Sequence, residues 1–179
     1  VPNLKSLAKI ENKKLIKLWE GLGYYSRARN LKKTAQSIIK NFRGKIPNNF
    51  QDLTSLPGIG NYTASAILAI AFNKQYIPLD GNIERVLKRY LYLRKNNEIH
   101  KDNLNQKKSI FGLSSRSNDY AQALMELGAL VCKPINPLCH QCPISNKCKS
   151  FKKKDYKLKK IIKKNINKYF LLKVYKKKQ

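Results

Sequence analysis

An all-α fold is what the sequence predicts, on three observations. Apolar residues recur at helical three- and four-residue spacing along most of the chain. Only YFLLKVY, residues 169–175, reads as a strand, and glycine and proline gather in short breaks such as LPGIG, residues 56–60.

Taken in order, Leu4, Leu7 and Ala8 open an amphipathic stretch that resumes at Leu15, Leu18 and Trp19. Residues 27–39 repeat the pattern with Leu31, Ala35 and Ile38 on one face, and Gly44 and Pro47 then interrupt it. A short helix is predicted over 50–56 and a buried one over 61–72. The next, over 82–93, carries Ile83, Val86, Leu87, Tyr90 and Leu91 on its inner stripe. Further helices are predicted over 101–113 and over 117–132, the latter with Ala121, Leu124, Met125, Gly128 and Val131 spaced for one face. From Lys149 onward the chain is lysine-rich and of low complexity. The organisation expected is a helical module over 1–116 with its hairpin at 56–60, then a helix and cysteine loop over 117–148.

With 38 Lys and Arg against 10 Asp and Glu, the net charge is +28 and the pI about 10.1. That charge favours a polyanionic partner, nucleic acid first, although abundant Lys, Asn and Ile also match an AT-rich coding bias. An apolar content of 42% is enough to build a core, so the chain is not a disordered basic tail. The longest apolar stretch, residues 64–72, is broken by Ser65 and too short to cross a bilayer, which points to an intracellular, cytoplasmic protein without a membrane partner. The chain opens at VPNLKSLA without Met and ends in what reads as the start of a strand, as though cut at both ends.

Three constellations carry chemistry. In LPGIG, Gly58 and Gly60 can adopt backbone angles closed to other residues and leave bare amides at the start of the helix from Asn61, suited to a phosphate oxygen. An ordinary tight helix–helix connection fits the same residues. Asp80, in LDGN, reads as an N-cap for the following helix or as a carboxylate held at a helix start beside nucleic acid. The chain's four cysteines, Cys132, Cys139, Cys142 and Cys148, follow a C-x6-C-x2-C-x5-C spacing that argues for a metal site over disulfides. Zinc and an iron–sulfur cluster both fit that spacing, and His140 competes as a ligand.

LPGIG followed by Asp80, the cysteine spacing, LWEGLGYYSRARNLKKTAQ at 18–36 and YAQALMELGALVC at 120–132 together resemble the MutY-type adenine DNA glycosylases of the helix-hairpin-helix, endonuclease III-like superfamily. The likeness runs from Val1 through Cys148. It implies a helix-hairpin-helix glycosylase fold, a 4Fe-4S cluster on the four cysteines, and Lys133 presented to DNA from the cluster loop. It implies that Tyr24, the first tyrosine of GLGYY, wedges into the duplex; without the resemblance, Tyr24 and Tyr25 read as core aromatics. Tyr62 stands where bifunctional relatives carry a lysine, and a phenol cannot form the Schiff base that leads to strand cleavage.

The implied activity is therefore monofunctional removal of adenine mispaired with 8-oxoguanine or guanine in double-stranded DNA, by a monomer. Asp80 would stabilise the cationic sugar, with Asn82 as its polar neighbour. The family's general-acid glutamate lies on a helix before the segment that VPNLKSLA resembles, and Glu11, Glu20, Glu84, Glu98 and Glu126 do not occupy its position, so impaired catalysis is expected of the chain as given. The resemblance also makes 149–168 a basic linker and 169–179 the start of a truncated C-terminal domain. Two other classes remain open: a non-catalytic DNA-binding fragment of the same family, and a basic zinc-binding RNA-binding protein.

Overall fold

Side-chain caps at Asn3, Asn49 and Asp80 start three of the described helices. The computed structural model describes residues 1–93 and 115–156, with no strand among them. Helix α1 (Leu4–Lys9) begins at a capping box in which Asn3 Oδ1 accepts from the Ser6 amide at 2.9 Å. An extended Ile10 ends it, and α2 (Asn12–Leu18) follows at once. Helix α3 (Ser26–Asn41) is the longest of those described and buries Ala28, Thr34, Ala35 and Ile38. Asn49 caps the short α4 (Phe50–Thr54), and α5 (Asn61–Ala66) runs on through a π-helical turn, Ile67–Ala71.

Asp80 caps α6 (Gly81–Leu91), which ends where Tyr92 turns left-handed at φ 59°. Helix α7 (Ser117–Glu126) continues through a second π turn, Leu127–Val131. Two 3-10 turns, Cys139–Gln141 and Ser145–Lys147, lead to α8 (Lys149–Lys152), so the first residues of the expected linker are helical and pack on α6.

Three apolar clusters hold these helices together. Ile38, Leu53, Leu56, Ala64 and Leu68 join α3, α4 and α5 on both sides of the hairpin, and Phe50 stacks on Tyr76 beside them at 5.9 Å between ring centroids. Ile77, Ile83, Leu87 and Leu124 join α6 to α7, and Ile10, Leu15 and Ala28 join the first three helices with Trp19 against them. Burial of such side chains stabilises by roughly 1.5–3 kcal/mol each, so the hairpin and the α6–α7 pair rest on packed ground.

Two expected core residues are not in the core. Leu18 is 58% exposed and Leu31 45%. At the end of α2 it is Trp19, not Leu18, that turns onto the Ile10 cluster, and on α3 the period gives the direction of the stripe but not what covers each turn of it. The predicted helix over 101–113, the strand at 169–175 and most of the 149–168 segment lie outside the described residues. No described helix is long and apolar enough to cross a membrane.

Candidate active site and cysteine loop

The hairpin is seated on α3. Thr34 Oγ1 donates to the Pro57 carbonyl at 2.6 Å, and Gly58, at φ +77°, lies so close over Asn30 that an added Cβ would stand 2.7 Å from the Asn30 Cβ. Gly58 is thus required by conformation and by space. Gly60 is not: at φ −92° and ψ 179° its backbone is extended, as any residue can be, so of the two glycines expected to be able to adopt special angles only Gly58 does. A Cβ there would meet nothing within 4 Å. The first amides of α5 have no preceding turn to bond. Gly58→Ala is expected to cost ~1–3 kcal/mol through overpacking, and Gly60→Ala within about 0.5 kcal/mol of nothing, both read from urea midpoints.

Asp80 both caps and connects. Its Oδ1 accepts from the Ile83 amide at 2.7 Å, and its Oδ2 faces the Asn82 amide nitrogen at 3.3 Å. Asn82 Oδ1 in turn accepts from Arg85 Nη2 at 2.8 Å. The same guanidinium donates through Nε to the Cys132 carbonyl at 2.8 Å and through Nη2 to the Gly128 carbonyl at 2.5 Å. Burial lowers the Arg85 pKa, against the raising influence of Cys132 and Asp80. A continuous run of hydrogen bonds therefore joins the carboxylate to the backbone of the first cysteine. Gly128 makes it possible, since a Cβ on it would lie 2.8 Å from the Asn82 Cβ. Gly128→Ala should cost ~1–3 kcal/mol and displace Asn82, a shift visible as altered amide resonances at Asn82 and Arg85.

The four cysteines are free thiols lining one apolar cavity with Val86, Leu127 and Phe151. Arg89 lines it too, with only 4% of its surface exposed. Arg89 Nη1 donates to the carbonyls of Lys133 at 2.6 Å and Cys132 at 3.3 Å and to Cys132 Sγ at 3.3 Å, while Nη2 donates to the Pro134 carbonyl at 3.0 Å. Burial, reinforced by the neighbouring cysteines, pushes the Cys139 thiol up, and burial likewise raises Cys142. Metal binding at these sulfurs must therefore displace protons. His140 is exposed and sets its ring edge-on to Phe151 at 5.6 Å. Among the described residues no group of three or more His, Cys, Asp or Glu is arranged to hold a single metal ion.

A family model for HhH-GPD superfamily base excision DNA repair proteins matches residues 1–109. The chain belongs to that superfamily. Among curated relatives it is 41% identical over 150 residues to the adenine DNA glycosylase of Buchnera aphidicola subsp. Baizongia pistaciae, covering 84% of this chain and 43% of that protein. To the adenine DNA glycosylase of Homo sapiens it is 38% identical over 156 residues, covering 83% of this chain and 28% of the human one. The chain thus spans less than half the length of these relatives. Among solved structures, a thermostable thymine-DNA glycosylase superposes with a TM-score of 0.75 at 28% identity, covering 86% of this chain and 71% of that one. Endonuclease III in a non-covalent DNA complex gives 0.69 at 24% identity over 86% and 72%, a likeness of fold.

Within this HhH-GPD chain the remaining expected site residues lie at exposed positions. Tyr24 is 82% exposed on the loop before α3, which overturns its reading as a core aromatic; Tyr25 is exposed too. Tyr62, in the first turn of α5, is 45% exposed. The Lys133 side chain is exposed while its carbonyl is taken by Arg89. Glu84 pairs with Lys88 at 2.5 Å, as a first-turn helix acid would. Sequence reasoning missed Arg85 and Arg89. Their signal was spacing: Asn82, Arg85 and Arg89 fall on one helical stripe beside the apolar one, yet Arg89 in the last turn reads as an ordinary dipole partner and Arg85 as a solvated mid-helix charge.

Proposed function

We propose that this chain carries the base-excising machinery of a monofunctional adenine DNA glycosylase, acting as a monomer on double-stranded DNA with adenine opposite 8-oxoguanine or guanine. The observation that carries the reading is the Asp80 carboxylate fixed at the start of α6, on a fold whose hairpin helix bears Tyr62 in place of a nucleophilic amine. The names of the relatives in the same superfamily support adenine as the base.

In this reading the hairpin amides after Gly58 and Gly60 take a backbone phosphate, Lys133 adds a second contact, and Tyr24 fills the stack beside the extruded adenine. Extrusion costs a few kcal/mol, which these contacts offset. Cleavage breaks the bond from the sugar C1′ to adenine N9; the electron pair leaves with the base, which takes a proton from solvent, matched by the one that the adding water later returns. The sugar is left with oxocarbenium character, and Asp80, held by Ile83 and Asn82, stabilises that charge until water adds to C1′ and gives up its proton. Tyr62 orients water or the carboxylate through its hydroxyl. With no amine in that place, the product is an abasic site and not a cut strand.

The cysteine cavity fits a 4Fe-4S cluster: four free thiols line one apolar cavity, and a buried guanidinium lies on a ligand sulfur to balance thiolate charge. Cysteine ligands 132, 139, 142 and 148 would hold it, and its contribution is to fix the loop that carries Lys133.

The test is single-turnover adenine release from a duplex with adenine opposite 8-oxoguanine, with a binding titration on the same duplex and iron and zinc analysis of the protein. Slow adenine release without strand cleavage, from an iron-containing protein with broad visible absorption, is expected. Tight binding without release identifies a DNA-binding module only, and a colourless protein with stoichiometric zinc overturns the cofactor.

A further inference from the structure

We propose that Arg27 is a positioning residue for Tyr24, holding that ring in a preset, outward pose ready to stack on DNA; the inference rests on the reading of Tyr24 as a DNA contact. Tyr24 contributes little to the core, being 82% exposed, and its backbone sits at φ 46°, a left-handed conformation that a bulky side chain rarely adopts. Gly21 and Gly23, just before it, are left-handed as well, at φ 85° and 62°. An exposed aromatic in a disfavoured conformation needs the surrounding loop to hold it there.

The hold is visible. Trp19 Nε1 donates to the Gly23 carbonyl at 3.0 Å, and the Leu22 amide to the Trp19 carbonyl at 3.2 Å. Arg27 completes it: its amide donates to the Tyr24 carbonyl at 2.9 Å and its Nη2 to the Leu22 carbonyl at 3.2 Å. The guanidinium carbon lies 5.5 Å from the Trp19 ring centroid and 5.7 Å from that of Tyr24, within cation–π range of both. Trp19 is anchored in turn on the Ile10, Leu15 and Ala28 cluster. One cation thus links a half-buried anchor ring to an exposed ring. Such a ring is oriented before a base step arrives, so its ordering cost is met in the free protein.

The experiment is a double-mutant cycle on duplex affinity, by fluorescence anisotropy, in the 179-residue chain with adenine opposite 8-oxoguanine in the duplex. Arg27→Gln should weaken binding about five-fold when Tyr24 is present and less than about two-fold in a Tyr24→Ala background. Trp19 is the sole tryptophan of the chain, so its quenching by acrylamide should rise in Arg27→Gln at unchanged helicity. Arg27→Lys, which keeps the charge but not the planar fork, should bind more weakly than the parent. An equal Arg27→Gln cost in both backgrounds, or full affinity in Arg27→Lys, would make Arg27 a phosphate contact and overturn the positioning role alone. Unchanged affinity in Tyr24→Ala would remove the reading of Tyr24 with it.

Discussion

Asp80→Asn, made in a protein of its relatives' full length, is expected to slow single-turnover adenine release by about a hundred- to a thousandfold, the usual loss when one preorganised stabiliser of transition-state charge is removed, with duplex affinity nearly unchanged. The substitution isolates charge from architecture. Asparagine is as good an N-cap as aspartate, so the bond from the Ile83 amide survives, whereas alanine would lose the cap at about 0.5–2 kcal/mol. What asparagine cannot keep is both acceptors. The Asn82 amide nitrogen now donates to Oδ2, and Asn82 cannot turn over because its Oδ1 is held by Arg85. A stability loss of up to ~1 kcal/mol is therefore expected from that one bond. Asp80→Ala should be equally inactive but less stable. If Asp80→Asn turned over like the parent, the carboxylate would be a helix cap and nothing more.

The contrast between Asp80 and Arg89 shows which kinds of residue the sequence makes legible. Asp80 announced itself because capping is local: an acid beside Gly81 at the head of an amphipathic run has one simple conformation, and α6 starts there. The helices were legible for the same reason, since a buried stripe repeats every three or four residues, as in Ile83, Val86 and Leu87. Gly58 was legible as a glycine, but not that its reason is Asn30 on a helix far back in the chain. Gly60 looked equivalent and is conformationally ordinary. Leu31 and Leu18 failed because periodicity does not say what lies opposite. The roles of Arg85, Arg89 and Arg27 were not legible because their partners, loop carbonyls and ring faces, carry no sequence signature.

Arg89→Met is expected to cost ~3–5 kcal/mol of stability in the holo protein, the range seen when one partner of a buried charged group is removed, and to speed the loss of iron to a chelator. Methionine keeps an unbranched apolar stem for the cavity wall beside Val86 and Leu127, so the loss reports the guanidinium and not a void. That group spans three successive carbonyls, at Cys132, Lys133 and Pro134, and touches a ligand sulfur; no other described side chain is recorded bonding to all of them. Without the fork these carbonyls must find water or separate, and the loop that presents the first cysteine loses its preset shape. Arg89→Lys should fall between, since a point charge can satisfy one or two of those acceptors but cannot bridge the set. Comparing urea midpoints of holo and metal-stripped protein separates the two contributions. A penalty confined to the holo form would mean that Arg89 acts through the bound group, while an equal penalty in both would mean that it shapes the loop beforehand. Parent-like iron content, chelator rate and midpoint together would show that the buried guanidinium does neither.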